Sequence, residues 1–418
     1  MSQTVEAQFL MDMLDTSKDV GKGLLDIYKR YDHLRIGGYM QPQFQVASEK
    51  GINSYSGGNF GTHVNNRFIL RRGRVRFDYA HYNDAGQPVT QFAFQFDGTE
   101  RGVNIRDFWG RYFENKWSLF AVTGGMFARP FGYEVNLSSS DREAPERGRM
   151  SQILMKTERD LGAMLTFEPR VPGHPLRFFK VDAGIFNGQG LAGPGEYDSY
   201  KDFIGKLSLK PYPLSKKLTV SAAVSILQGG LMQPTRYEYR MGQTNTGKQF
   251  VVDSALSNLG EKAPRQYRGA DLQWKLKNKW GFTELRGEYW WGTQTATNSN
   301  TETPGALLNE PLYSRPFDGG FFCFLQNIVN TKHQLVVKYD WYDPNTRVKG
   351  KEIGIPGNNL TVADIKYSTL SMGYVQYVNP QLKLFLFYDR VWNESTGLSG
   401  YTTDVKDNVF TCRLQFRF

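Results

Sequence analysis

The chain has 418 residues, 40% of them hydrophobic, and a mean hydropathy of −0.50. It contains no run of about 18 apolar residues, which excludes a transmembrane helix but not a membrane strand, since a spanning β-strand needs only about 9–11 residues and every second one can face water. The net charge is +10, from 51 basic and 41 acidic side chains, which bears on attraction to anions rather than on fold.

Two cysteines, Cys323 and Cys412, form no disulfide framework and no CxxC or Cys/His cluster, so neither metal nor cofactor is expected. Aromatic residues at 14% and 43 glycines suit a barrel with interfacial aromatic girdles and long loops.

Residues 1–8 lack the basic and apolar regions of a signal peptide. A barrel bound for export then has its signal removed from this numbering or placed upstream of Met1. In 9–30, Phe9, Leu10, Met13 and Leu14, then Leu24, Leu25, Ile27 and Tyr28, fall at helical spacing, with Gly21 and Gly23 dividing two short helices. Residues 1–30 are expected as a partly helical periplasmic extension or plug, or a docking element, and 31–418 as a β-barrel.

From residue 33 the period is two. Sixteen strand-like segments follow, at 34–47, 67–80, 88–98, 103–113, 116–127, 160–168, 176–187, 202–211, 217–227, 267–277, 280–293, 321–329, 332–343, 364–378, 381–392 and 406–418. Long connections, such as 48–66, 128–159, 228–266, 294–320 and 344–363, alternate with short ones such as Asn83-Asp84-Ala85-Gly86, Asn278-Lys279 and Asn379-Pro380. The short ones carry turn residues; only 99–102 is short on the long side. One elaborated end and one trimmed end is the asymmetry of an outer-membrane barrel, and an even strand count puts both termini on the trimmed side.

Alternation separates two faces. Phe410, Cys412, Leu414, Phe416 and Phe418 oppose Thr411, Arg413, Gln415 and Arg417; Leu335, Val337, Tyr339 and Trp341 oppose Gln334, Lys338 and Asp340. Aromatics near strand ends, at Trp290, Trp291, Trp341 and Trp392, and a terminal Phe completing an apolar stripe favour lipid outside and water inside over a soluble core. Segments 103–113 and 381–392 show no clear faces. In 67–80, Ile69, Gly73, Val75, Phe77 and Tyr79 oppose Arg72, Arg74, Arg76 and Asp78.

Same-face residues lie roughly 6.8 Å apart along a strand, so Arg72, Arg74 and Arg76 make a ladder able to hand on an anion, or one matched by carboxylates such as Asp78, Asp97, Asp182, Glu284 and Glu288. Arg suits either role through its permanent charge and forked donors. Lys206, Lys338 and Arg413 join the pore-lining candidates. Segment 128–159 is long, charged and cornered at Pro130-Phe131-Gly132; it is expected to fold into the lumen as a constriction loop bearing Arg142, Glu143, Glu146, Arg147 and Arg149, or else to lie on the surface.

The runs Leu34-Arg35-Ile36-Gly37-Gly38-Tyr39-Met40-Gln41, Phe68 to Phe77, Pro130-Phe131-Gly132-Tyr133-Glu134, Ser138 to Arg149, Lys338-Tyr339-Asp340-Trp341-Tyr342-Asp343-Pro344 and Leu414 to Phe418 resemble, in this order, the phosphate-selective porin O and P family in its Bacteroidetes version. The resemblance covers about residues 31–418. It implies a sixteen-stranded barrel, often a homotrimer, that passes small anions such as phosphate. The lysine cluster of phosphate-specific members has no recognisable counterpart here.

The expectation is a porin of the bacterial outer membrane, surrounded by lipid, with a mild anion preference through the lumenal Arg/Lys ladder. The alternative is a non-conducting barrel serving as a structural or assembly partner, with residues 1–30 and the long outer loops as surfaces for other proteins. The five histidines, His33, His63, His81, His174 and His333, sit in no recognisable catalytic arrangement, so no catalytic residue is assigned and an enzyme is not expected. Nucleic acid is not expected either, because basic and aromatic residues fall on opposite faces of the strands.

Overall fold

A computed structural model describes residues 33–191, 195–245 and 247–418; the expected extension at 1–30 lies outside them. Its strands are β1 (Leu34–Ala47), β2 (Asn66–Tyr82), β3 (Pro88–Thr99), β4 (Gly102–Phe113), β5 (Phe120–Ala128), β6 (Arg159–Phe167), β7 (Phe179–Phe186), β8 (Asp202–Pro213), β9 (Leu218–Met232), β10 (Glu238–Thr244), β11 (Gly247–Asp253), β12 (Lys262–Asn278), β13 (Gly281–Ala296), β14 (Leu312–Asn327), β15 (His333–Asp343), β16 (Tyr367–Asn379), β17 (Leu382–Asn393) and β18 (Val409–Arg417). Each wall strand pairs antiparallel with the next, β9 passes directly to β12, and β18 closes on β1 with Phe44 opposite Cys412. The described wall is thus a closed barrel of 16 strands, one for each segment read from the sequence. Closure pairs every edge, which hydrocarbon requires because it cannot hydrogen-bond a bare backbone.

The remaining strands, β10 and β11, form a hairpin within the long connection 233–261, docked by the parallel pairing of Glu238–Arg240 with Leu312–Ser314. No such hairpin was expected there.

The outer wall is apolar. Phe92, Val224, Leu335, Val337, Leu414 and Phe416 are exposed on it, while Gln95, Ser225, Gln334, Lys338, Arg413 and Gln415 are buried on the inside. Aromatics ring both rims, with Trp117, Tyr212 and Trp280 at the short-turn end and Tyr289 and Trp291 at the long-loop end. Trp290 is a correction: it is wholly buried and faces the lumen.

Two bulges correct the strict alternation. Met40 pairs with Gly73 and Pro42 with Leu70, so Gln41 alone opposes Arg71 and Arg72. The extra residue turns both guanidiniums inward, where both reach Glu146. Below the bulge the parity is inverted: Ile69 pairs with inward Gln43 and shares the lumenal face, not the lipid face expected for it. In β4, Gln95 pairs with Asp107 and Phe96 with Ile105, leaving Arg106 as the extra residue beside Asp107. The lipid face accordingly switches from Val103 and Ile105 to Phe108 and Tyr112, which is why this segment showed no single alternation.

Candidate permeation site

The connection 128–159 runs through the lumen, held by inward side chains of the wall. At its corner Phe131 is wholly buried against Trp290, ring centres 4.8 Å apart, and Tyr267 at 6.1 Å. Gly132 turns the chain with φ +66°, and a Cβ there would collide with the Glu288 carboxylate and the Trp290 ring. Glu288 accepts the backbone N–H groups of Tyr133 at 2.6 Å and Glu134 at 3.0 Å. A short helix, α1 (Arg149–Leu154), returns the chain towards β15, where Asp340 accepts the Arg149 N–H at 3.1 Å. Met150, Ile153 and Leu154 join Phe131, Met164, Phe186, Ile204, Leu227, Tyr267, Trp290 and Phe317 in one apolar cluster.

The far side of the connection is polar. The Tyr39 hydroxyl lies 2.6 Å from Ser139 Oγ, and Arg74 donates to the same oxygen at 2.9 Å. Lys383 and Gln415 donate to the Ser140 carbonyl at 2.8 and 3.0 Å. Arg71, Arg72 and Arg413 converge on Glu146 at 2.9, 2.7 and 2.6 Å. Burial alone would raise the Glu146 carboxyl, but Arg71, Arg72 and Arg413 outweigh it and hold it well below the usual range.

Each candidate from the sequence has a definite place. Arg72 and Arg413 tie down the connection through Glu146. Arg74 meets Asp97 at 2.9 Å, and Arg76 meets Asp78 at 2.7 Å and Asp107 at 3.7 Å. The three ladder arginines thus have carboxylate partners, those of Arg74 and Arg76 on the wall itself. Lys338 is buried on Glu134, and Lys206 donates to the Gly132 carbonyl. Glu143 pairs with Arg286 at 2.6 Å. Arg147 donates to the Ser151 and Met155 carbonyls at 3.0 and 3.2 Å and faces Glu158 at 3.5 Å. Arg149 lies over the rings of Tyr55 and Tyr367, 4.6 and 3.6 Å from their centres. Arg142 is buried, donates weakly to the Leu137 carbonyl at 3.3 Å, and makes no ion pair among the described residues.

Two of the cavities beside the connection adjoin each other. One, of about 470 Å³, opens at the short-turn end among Arg35, Ser138, Arg142 and Phe418. The other, of about 990 Å³, lies at the long-loop end among Arg71, Arg149, Thr301 and Tyr401. Arg74, Arg106, Glu158 and Arg159 line both. Across this boundary Glu158 faces Arg106 at 2.5 Å and Arg159 at 3.7 Å, while Asp97 and Asp107 meet the outer sides of Arg106 and Arg159 at 3.6 and 3.1 Å. Sequence reasoning found Arg74 but missed Arg106, Glu158 and Arg159. Arg106 hides in the β4 bulge; Glu158 and Arg159 sit where the connection re-enters the wall, with no alternation to mark them.

No family profile and no curated protein matches the chain by sequence. Among solved structures, the outer-membrane channel DcaP of Acinetobacter baumannii superposes at TM-score 0.56 and 12% identity, over 92% of this chain and 97% of that one. OprB of Pseudomonas putida, in its high-pH structure, gives 0.54 and 10% over 96% of each chain. An anion-selective porin from Comamonas acidovorans gives 0.52 and 10%, over 92% of this chain and 99% of its own. The shared architecture is that of outer-membrane channels. With its apolar outer wall and two aromatic rims, the chain is a β-barrel of the bacterial outer membrane.

Proposed function

We propose that this barrel is a porin that passes small hydrophilic solutes with a mild preference for anions. The observation that carries the reading is the charge of the short-turn cavity, which meets the long-loop cavity at Arg74, Arg106, Glu158 and Arg159, where Asp97, Asp107 and Glu158 offset the three guanidiniums. In the short-turn cavity seven arginines stand against Asp78, Asp141 and Glu158; five of them are paired with carboxylates, and Arg35 and Arg142 make no ion pair among the described residues, so an entering anion meets an excess of positive charge. The constriction is then the gap between connection 128–159 and strands β2 to β4. Arg72 and Arg413 act as its support, and Arg74 and Arg76 as its lining. Phosphate passage, and the trimer that the family resemblance implies, belong to the same proposal.

Planar-bilayer recording across a KCl gradient tests it. An anion-selective reversal potential is expected, moving towards cation selectivity in Arg106→Glu; a cation-selective wild type contradicts the proposal. A second reading, a non-conducting barrel acting as an assembly partner, draws on how much of the lumen connection 128–159 occupies with its apolar anchor. Absence of conductance from folded protein would favour it.

A further inference from the structure

The lipid-facing wall carries a feature that permeation does not use. At the long-loop end of β9, β12, β13 and β14 a shallow cavity of about 560 Å³ is lined by Gln228, Gln266, Arg268, Trp291, Thr293 and Asp318, among others. Register fixes their direction: Arg268 pairs with Ile226 and Trp291, and Trp291 with Asp318, all on the outer surface. Arg268 is exposed and makes no hydrogen bond or ion pair among the described residues. A cation on the lipid face is tolerated near an interface and not at mid-bilayer, which puts Arg268 level with the outer headgroups.

Beside it, the Asp318 carboxylate accepts the Trp341 indole N–H and the Tyr289 hydroxyl, each at 3.2 Å. It thereby pins a row of nearly parallel rings: Tyr289 stacks with Trp291 at 5.4 Å and 21°, and with Trp341 at 6.1 Å and 30°. An ordinary girdle needs only aromatic rings at this depth. It does not need a pinned platform, an uncompensated guanidinium and two side-chain amides around one hollow.

We propose that this groove binds the phosphorylated saccharide headgroup of an outer-leaflet glycolipid. The Arg268 fork takes the phosphate. The rings of Tyr289 and Trp291 take the C–H face of a sugar, and Gln228 and Gln266 meet its hydroxyls. A phosphoglycerol headgroup would satisfy Arg268 and leave the platform and amides unused. The site needs the barrel in its membrane but not an open pore.

The test uses the full-length protein in detergent and native mass spectrometry to count bound lipid. The probes are a bis-phosphorylated glucosamine-disaccharide lipid, the same lipid stripped of phosphate, and phosphatidylglycerol. Retention of the phosphorylated disaccharide about tenfold above both comparators is expected, with a loss of about tenfold in Arg268→Ala and in Trp291→Ala and an unchanged reversal potential. The comparison among lipids needs only wild-type protein, so it stands even if a variant fails to fold. Equal retention of phosphatidylglycerol, undiminished binding by Arg268→Ala, or variants that lose subunit association while keeping the lipid would each overturn the proposal. Lost conductance with intact lipid binding would instead count against the porin reading.

Discussion

The two sides of connection 128–159 are held by different physics. Towards β7–β9 and β12–β15 it is held mainly by a dry cluster built on Phe131, Trp290, Tyr267 and Phe317, with Lys338 on Glu134 and Arg286 on Glu143 at its edge. Towards β1, β2 and β18 it is held by ion pairs and hydrogen bonds to Glu146, Ser139 and Ser140, and the two cavities that meet at Arg74, Arg106, Glu158 and Arg159 lie on that side. Apolar packing fixes position without presenting charge to a solute; paired charges fix position and set the field of the passage together. On the proposed porin reading, the barrel uses one part of its lumen to anchor the connection and another to conduct. Damage to the first should alter order, and damage to the second should alter selectivity.

The sharpest way to break this division is to attack both halves separately. Glu146→Gln removes the charge shared by Arg71, Arg72 and Arg413 and leaves three guanidiniums without it; breaking a buried pair costs roughly 3–5 kcal/mol. A marked shift of reversal potential towards anions is expected, with loss of hydrogen-exchange protection in 138–147. Phe131→Ala empties a wholly buried ring site at a cost of about 3–5 kcal/mol. Noisier single-channel current is expected with the reversal potential unmoved. Equal selectivity shifts in both variants would show that the halves are not separate. Gly132→Ala should fall between: the left-handed backbone costs about 1–2 kcal/mol before the collision with Glu288 and Trp290, and current noise again reads the effect.

Acid sharpens the same contrast. Burial raises the Glu158 carboxyl, but Arg147, Arg106 and Arg159 outweigh it and hold it well below the usual range. A carboxylate lowered on folding stabilises above its unfolded value, about 4.3, and that stability fades only as pH falls through the lowered value. Glu158 should therefore keep its charge from about pH 8 to pH 5 and lose it only in stronger acid, whereas burial raises Asp407, at the long-loop cavity, to about 6, within that range. In Asp407→Asn the reversal potential should stay flat between those values; a drift that persists there would show that Glu158 does not set the field of the gap.

The wall was legible because lipid on one side and water on the other impose a period of two, which Phe410 to Phe418 and Leu335 to Trp341 display without exception. What was hidden breaks that period. One extra residue at Arg71-Arg72, and another at Arg106-Asp107, flips every side chain beyond it, so an arginine of the passage looked ambiguous. In β17 both faces are apolar, because Phe385 and Phe387 pack inward in a cluster with Ala144 of the connection while Leu386 and Tyr388 meet lipid. Trp290 was misread for the same reason: an aromatic near a strand end can anchor a loop as well as a membrane. The hairpin β10–β11 lies beyond the wall, where neither medium enforces a pattern.

The smallest effect is expected at the rim, and it bounds the conducting half. Lys156 pairs with Glu302 at 2.6 Å at the mouth of the larger cavity, with its side chain largely exposed. Water and salt screen such a pair, so Lys156→Ala should cost roughly 0.2–1 kcal/mol. Its charge stands outside the boundary set by Arg74, Arg106, Glu158 and Arg159, so the reversal potential at high salt should match wild type. Only at low ionic strength, where the screening length grows to about 30 Å at 0.01 M, should the lost cation slow anion entry. A selectivity change that persists in 1 M KCl would move the limiting step from the gap to the mouth.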